Sequence, residues 1–418
     1  MLFATPLVPN NVQHYPRPPT YDLPDLPPSS RQSFLLFPVL VALQITTLAI
    51  IGPLPKTSPV RKLLPTIVIP IIIGVAIQAV LFCHHLTSPV ANFAAGTAAI
   101  SLTLQGIDLL YVIPSRYEIP LTDIFKFPSR PIHATHPTWR QRLDWAGACC
   151  NNPRMLKTPF EPSLLKRRRA RIEALTRSQF LWRTFAKVMF IWVLIDCLLA
   201  FCRWDLWFSS ATHAFATPDT ILIGAMRTIL GGAAIWMAVD SEHGIAALVM
   251  ILLAGDDYRE WPDMFGFWTE SWCTIAEFWA VAWHGLFRQQ FVILTHTVSS
   301  PLLRVFMPFI FSAVLHFSGA HMQSRNGVDA AVFLVMQPVG ILVQQALVGR
   351  EVKGRFMRAL VWISTMVWLV ATGYRFLKAY AQGGMFDIEP IPISFLSLLG
   401  IVEGPAFRWG WILDLFRA

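Results

Sequence analysis

Long apolar runs constrain this chain more than any other feature of its sequence. Ser33–Gly52, Leu63–Phe82, Val90–Ile113 and Pro301–Ala320 each match the roughly 20 residues that an α-helix needs to cross about 30 Å of hydrocarbon. Strands of a membrane β-barrel would show shorter segments of alternating character. Composition agrees, with 54% of the 418 residues hydrophobic and 14% charged, against about 25% charged in a soluble domain. The expected fold class is an all-α integral membrane protein, a multi-pass helical bundle.

Residues 1–32 are Pro-rich and polar. Proline there interrupts any apolar signal-peptide core, so the segment is expected to be extended or disordered. Three spans follow, joined by Pro53–Lys62 and succeeded by the loop 114–178, both basic; the loop holds the run Lys166, Arg167, Arg168 and Arg169. Three crossings put both connectors on one side, and their positive charge makes that side cytosolic and the N-terminus lumenal. A fourth span covers Phe180–Phe201. Ile221–Val239 and Ile245–Ala254 are both apolar, but the second is short. One crossing plus a re-entrant or interfacial piece is expected, because that keeps Arg350–Arg358 cytosolic. Segments 301–320, 329–348, 359–374 and 391–403 complete a bundle of about eight to ten transmembrane helices. A single domain is expected over 33–410, with a motif region at 260–320 and a short tail at 411–418.

The net charge is +9. Because the basic residues sit in loops beside membrane segments, they read as a topology signal and not as a nucleic-acid surface. A basic loop would also suit a polyanionic substrate. Cys83, Cys149, Cys150, Cys197, Cys202 and Cys273 have neither CxxC nor metal-ligand spacing, so reduced thiols and no metal site are expected. Palmitoylation of the adjacent Cys149 and Cys150 is the lesser alternative.

An ionisable side chain within a span costs about 2.5–3.5 kcal/mol on insertion scales and needs a reason. His316 lies well inside Pro301–Ala320. It is either bonded to a neighbouring helix or a neutral buried imidazole able to take a proton from an alcohol. Ser318 and Gly319 are small enough to admit a neighbouring helix or a substrate. Trp261, Trp268, Trp272, Trp279 and Trp283 gather in one stretch, which suggests a segment along the membrane interface. Trp279 and Trp283 are four apart and share a helical face, with His284 beside them and Phe278 preceding. An aromatic belt with an incidental histidine would look the same. Asp108 and Asp196 are expected to bond across helices, Gln344 and Gln345 to join helices, and His84, His85, His296 and His321 to lie near span ends.

Glu260-Trp261-Pro262-Asp263-Met264-Phe265-Gly266, then Phe278-Trp279 with Trp283-His284, then a span containing Leu315-His316, resemble the wax-synthase branch of the membrane-bound O-acyltransferases. The likeness is nearest to fungal members that decorate terpenoid and meroterpenoid products. Asn152-Pro153-Arg154 resembles the stretch before the fourth span there. This sequence departs from the pattern at Glu277, where the family commonly has Arg, and at Gly285, where it has Gln. The resemblance implies acyl transfer from an acyl-CoA, acetyl-CoA being favoured, to a hydrophobic alcohol acceptor, with no bound cofactor and no metal. It implies His316 as general base and His284 as oxyanion donor or donor-positioning group, with Phe278, Trp279, Trp283, Ser318 and Gly319 around the substrates. It also implies an endoplasmic reticulum membrane and makes the basic loop a landing surface for coenzyme A, although a plain topology signal beside anionic lipid explains that loop equally. A long-chain-alcohol acyltransferase (a wax synthase) fits the same motifs. A terpene cyclase would use intramembrane carboxylates, for which Asp108 and Asp196 offer some material, although the chain is long for such a protein; a transporter would show repeats, and none is found.

Overall fold

Inside lipid a backbone N–H has no partner except within its own segment, and the regular elements among the described residues are all helical. The computed structural model describes residues 36–82, 89–126, 137–208, 220–267, 269–295, 298–324, 327–349, 352–388, 390–402 and 406–407. The expectations for 1–32, Cys83, His84, His85, Trp268, His296 and 411–418 lie outside these residues. The helices are α1 (Leu36–Ile51), α2 (Pro59–Phe82), α3 (Pro89–Ile107), α4 (Trp139–Cys150), α5 (Ser163–Glu173), α6 (Arg177–Trp204), α7 (Ile221–Val249), α8 (Arg288–Thr295), α9 (Pro301–Ser324), α10 (Val328–Val348) and α11 (Arg355–Gln382). Among the described residues, seven helices are long and apolar enough to span a membrane: α2, α3 with its extension to Arg116, α6, α7 with its extension to Ala254, α9, α10 and α11. The 16-residue α1 is apolar but shorter. The chain is an all-α multi-pass membrane protein.

The two basic connectors sit together, as the two crossings between them, α2 and α3, require. The Arg61 guanidinium donates to the carbonyls of Leu54, Pro114, Tyr117 and Ile119 at 2.8–3.1 Å. Lys56 pairs with Glu118 at 2.8 Å. Next to them α4 and α5 are short amphipathic helices. Thr138 caps α4 through a reciprocal bond with Gln141, satisfying backbone donors that a helix start otherwise leaves open. Trp145 is fully buried, with its indole N–H on the Phe125 carbonyl at 2.9 Å. Burial raises the Cys149 thiol and pushes that of Cys150 up to about 12.

Two expected boundaries are corrected. Ile221–Val239 and Ile245–Ala254 are not a crossing plus a separate piece but one continuous helix, α7 running through a π-helical turn at Met250–Ala254. The polar interruption between them, Asp240 to Gly244, stays helical, and several of its residues are engaged by neighbouring elements. Asp240 accepts from Lys187 of α6 at 2.9 Å. Ser241 accepts the Trp192 indole N–H at 2.7 Å. Gly244 lets α6 approach so closely that a Cβ would stand 2.6 Å from Val188. The ring of His243 lies 5.6 Å from that of Trp261.

Segment 391–403 is not a span, since it holds only the single turn Phe395–Leu398. Asp196 ties it to α6, accepting from the Ser394 hydroxyl at 2.9 Å and the Leu396 N–H at 2.8 Å. This is the cross-element bond expected of Asp196. Asp196→Ala is expected to release that segment and to cost about 1–3 kcal/mol, the penalty for orphaned buried donors. Faster proteolysis near 394 and a lower unfolding midpoint in detergent would report it; Asp196→Asn, keeping one acceptor, should lose less. Asp108 differs. It is fully buried and neither carboxylate oxygen has a hydrogen-bond partner among the described residues; it sits in the π-helical turn Asp108–Val112 among the apolar side chains of the first helices. The expected cross-helix bond of Asp108 does not form.

Candidate active site

Pro262 offers no N–H, so the stretch Trp261–Gly266 needs partners other than a helical ladder. Two arginines supply them. Arg154 donates to the carbonyls of Pro262 (2.7 Å) and Asp263 (3.0 Å). Arg168 donates to Asp263 (3.2 Å), Met264 (3.1 Å) and Val281 (2.7 Å). Both side chains are buried. Burial first, and then the charge of Arg168, push Arg154 down to about 10, which leaves it protonated at neutral pH. The loop is laced to the second motif by the bonds from Gly266 N–H to Ala282 (3.0 Å) and from Gly285 N–H to Met264 (3.4 Å). A Cβ at Gly266 would overlap Val281 and the Arg168 guanidinium, so glycine is required for the approach. Lys187 reaches across from α6 to Asp240 (2.9 Å) and Asp263 (3.2 Å).

The second motif folds inward. Thr274 and Glu277 form a capping box at the start of the turn Ile275–Glu277, and Glu277 also accepts the Cys273 N–H at 2.7 Å. These bonds give the Glu277 carboxylate a local role. Burial opposes ionisation of Glu277, but the Cys273 and Thr274 N–H groups hold its carboxyl below the usual range. A π-helical turn, Phe278–Ala282, follows and ends at Trp283 in extended conformation. Phe278 stacks on Trp283 at 5.7 Å, and Trp279 meets Trp283 edge-on at 6.1 Å. Trp279 also touches Phe309 of α9 (5.8 Å) and Phe333 of α10 (6.0 Å), and its indole N–H donates to Gln337 at 3.3 Å. Gln344 accepts the Ile275 N–H at 2.8 Å and donates to Thr365 of α11 at 2.9 Å. The Trp-rich segment is thus fastened to the α9–α11 bundle, and Gln344 is the helix-joining group expected.

His284 closes this segment. Its ring stands 5.6 Å from Trp283, 5.7 Å from Phe265 and 6.3 Å from Phe287. Nδ1 is buried without a hydrogen-bond partner. Burial, with a smaller contribution from the nearby His316, lowers its pKa to about 3. An unfolded imidazole titrates near 6.5. The unfolded chain therefore binds more protons between these values, and stability is lost as pH falls through about 6.5 toward 3. Between pH 7 and pH 5 wild type is expected to lose about 2 kcal/mol more than His284→Gln, read from unfolding in mixed micelles at the two pH values.

His316, on α9, is partly exposed between helices. Its Nδ1 lies 2.9 Å from the Ser312 carbonyl. A carbonyl only accepts, so Nδ1 carries the proton and Nε2 holds a free lone pair. The rings of Phe376 (5.9 Å) and Phe93 (6.3 Å) flank it, with Tyr380 packed on both at 4.3 and 5.0 Å. The structure brings His284 and His316 into electrostatic reach of each other. Trp283 stands beside His284, with Phe278 and Trp279 packed on Trp283 in turn. Ser318 and Gly319 are placed in the seam between α9 and α3 instead. A Cβ at Gly96 would overlap the Ser318 carbonyl, and one at Gly319 would stand 2.7 Å from Phe93. Their small size serves helix approach.

Arg168 and Lys187 are the residues missed by sequence reading. Arg168 lies in a run whose charge suggested a surface, yet α5 turns it inward, and Arg169 is spent on Glu161 (3.0 Å) and Glu173. Only Lys166 and Arg167 of that run are exposed. A helical period places Arg168 on the buried face with Leu165 and Ile172, which is the signal that could have found it.

Residues 261–336 match the membrane bound O-acyl transferase family. Acetyltransferase eriL of Hericium erinaceus is 24% identical over 275 residues, covering 61% of this chain and 70% of that protein. Acetyltransferase sirH of Emericella nidulans is 24% identical over 186 residues, 40% of each chain. Acetyltransferase spyB of Aspergillus fumigatus is 23% identical over 123 residues, 26% of this chain and 21% of that one. No solved structure is significantly similar. The family match and these relatives support an acyltransferase enzyme of the fungal acetyltransferase kind, and with it O-acyl transfer.

Proposed function

We propose that the protein moves an acetyl group from acetyl-CoA to a hydroxyl of a hydrophobic alcohol of terpenoid or meroterpenoid type, with His316 as general base. The observation that carries this reading is the pairing of two unlike histidines. His316 has its tautomer set by the Ser312 carbonyl, and His284 makes no hydrogen bond with the described residues and has a buried Nδ1. Nε2 of His316 takes the proton of the acceptor hydroxyl as that oxygen attacks the thioester carbonyl. The negative charge that develops on the carbonyl oxygen is met by an N–H of neutral His284. Collapse breaks the C–S bond, and the His316 imidazolium returns its proton to the departing thiolate. The aromatic lining excludes water, which favours transfer to the alcohol over hydrolysis. Acetyl-CoA is read as a substrate. The chain is placed in the endoplasmic reticulum membrane with its N-terminus lumenal and 114–178 cytosolic.

The test is transfer of label from acetyl-CoA, by membranes containing the protein, to a panel of polycyclic terpenoid alcohols. Labelled ester is the expected result. Label appearing only with palmitoyl-CoA and a fatty alcohol would replace this reading with wax-ester synthesis.

A further inference from the structure

We infer that Arg288 anchors the phosphate groups of the acyl donor at the mouth of the histidine site. A cleft beside His284 is lined by Arg154, Arg168, Trp283, Gly285, Arg288 and Gln289, with no acidic side chain among its described lining residues. Two of its three guanidinium groups are committed to loop carbonyls. The carboxylate nearest Arg168, that of Glu270, lies 3.7 Å from Nε and is shared with Arg171. The third guanidinium, Arg288, makes neither a hydrogen bond nor an ion pair with the described residues, although it is partly buried.

Holding a desolvated cation without a counter-charge is unfavourable. Placing it in a cleft already made positive by two buried arginines adds repulsion. An incoming anion relieves both. A guanidinium fork suits phosphate oxygens in particular. Carbonyls neutralise no charge, and although Glu270 offsets part of the Arg168 charge, it is shared with Arg171.

Placement selects the donor over other anions. Arg288 lies four positions after His284, so their Cα atoms are at most about 14 Å apart. That is the scale of the pantetheine arm joining the thioester to the phosphates of coenzyme A. Gly285 leaves the wall open, since a Cβ there would meet nothing within 4 Å. A lipid phosphate offers the same chemistry, and the test separates the two sources.

The assignment rests on the acyl-transfer reading only for the identity of the donor. Wild type, Arg288→Gln and Arg288→Lys are compared in lipid nanodiscs with acetyl-CoA and with S-acetyl-N-acetylcysteamine, a thioester without phosphate. Binding of 3′,5′-ADP is measured on the same preparations. Arg288→Gln is expected to lower the ratio of kcat/KM for acetyl-CoA to that for the phosphate-free thioester at least tenfold. It should weaken 3′,5′-ADP binding to a similar extent, with Arg288→Lys intermediate. An unchanged ratio with unchanged 3′,5′-ADP binding overturns the assignment. Equal losses with both thioesters also overturn it, showing a structural role. Dependence on phosphatidic acid content that disappears in Arg288→Gln, with the donor ratio unchanged, would assign the residue to lipid. If wild type transfers no acetyl group but binds 3′,5′-ADP in an Arg288-dependent way, the phosphate site stands and the acetyl reading fails.

Discussion

Membranes carrying His316→Ala are expected to transfer acetyl groups some 10²–10⁴-fold more slowly in kcat than wild type, the usual contribution of a positioned general base. The KM for acetyl-CoA should move little, because His316 lies on α9 between Phe93 and Phe376, away from the cleft that Arg288 lines. Loss of the imidazole also removes the Nδ1–H bond to the Ser312 carbonyl. That carbonyl sits within a helix, so the cost to folding is expected to be about 1 kcal/mol. Comparable expression and an unfolding midpoint close to wild type would separate chemistry from folding. Transfer within tenfold of wild type in a folded variant would remove His316 as the base and leave proximity and His284 to account for the reaction.

Arg168→Met is expected to have the largest effect outside the histidines. It strips the carbonyls of Asp263, Met264 and Val281 of a common donor. Buried unsatisfied groups cost about 1–3 kcal/mol each, and partial relaxation of the loop brings the expected total to about 3–5 kcal/mol, the range for a broken buried charge network. Activity should fall further than stability alone dictates. The loop carries Phe265, whose ring sits 5.7 Å from His284, and a displacement of about 1 Å can cost a factor near 10² in rate. Arg168→Lys cannot reproduce a fork that serves three carbonyls and should recover only part of the loss. Lys166→Gln and Arg167→Gln, exposed neighbours in the same run, should stay within about 0.5 kcal/mol of wild type. Unfolding in mixed micelles and initial transfer rates check all four variants. Equal behaviour across them would mean that the run acts as surface charge and that the loop is held by other groups.

The same contrast separates what was legible in the sequence from what was not. Helix class, the order of spans and the shared side of the two basic connectors were legible, because each depends on local hydropathy and charge. The motifs marked His284 and His316, since an ionisable side chain in an apolar run is rare for energetic reasons. The α7 boundary was misread because Asp240-Ser241-Glu242-His243-Gly244 looks like a break when taken alone. In the fold its Asp240 pairs with Lys187, 53 residues away. Asp108 and Asp196 look alike in sequence, yet Asp196 meets Ser394 and Asp108 meets no hydrogen-bond partner among the described residues.

By itself the sequence determined that this chain is a helical membrane protein with two histidines set in apolar and aromatic surroundings. The tertiary structure decided which groups hold those histidines and which charges remain free. Arg168 finds its carbonyl partners 95 to 113 residues along the chain, and Arg288 finds none among the described residues. Satisfaction of a buried polar group is a property of what folding brings beside it, and hydropathy, being local, carries no record of that neighbour.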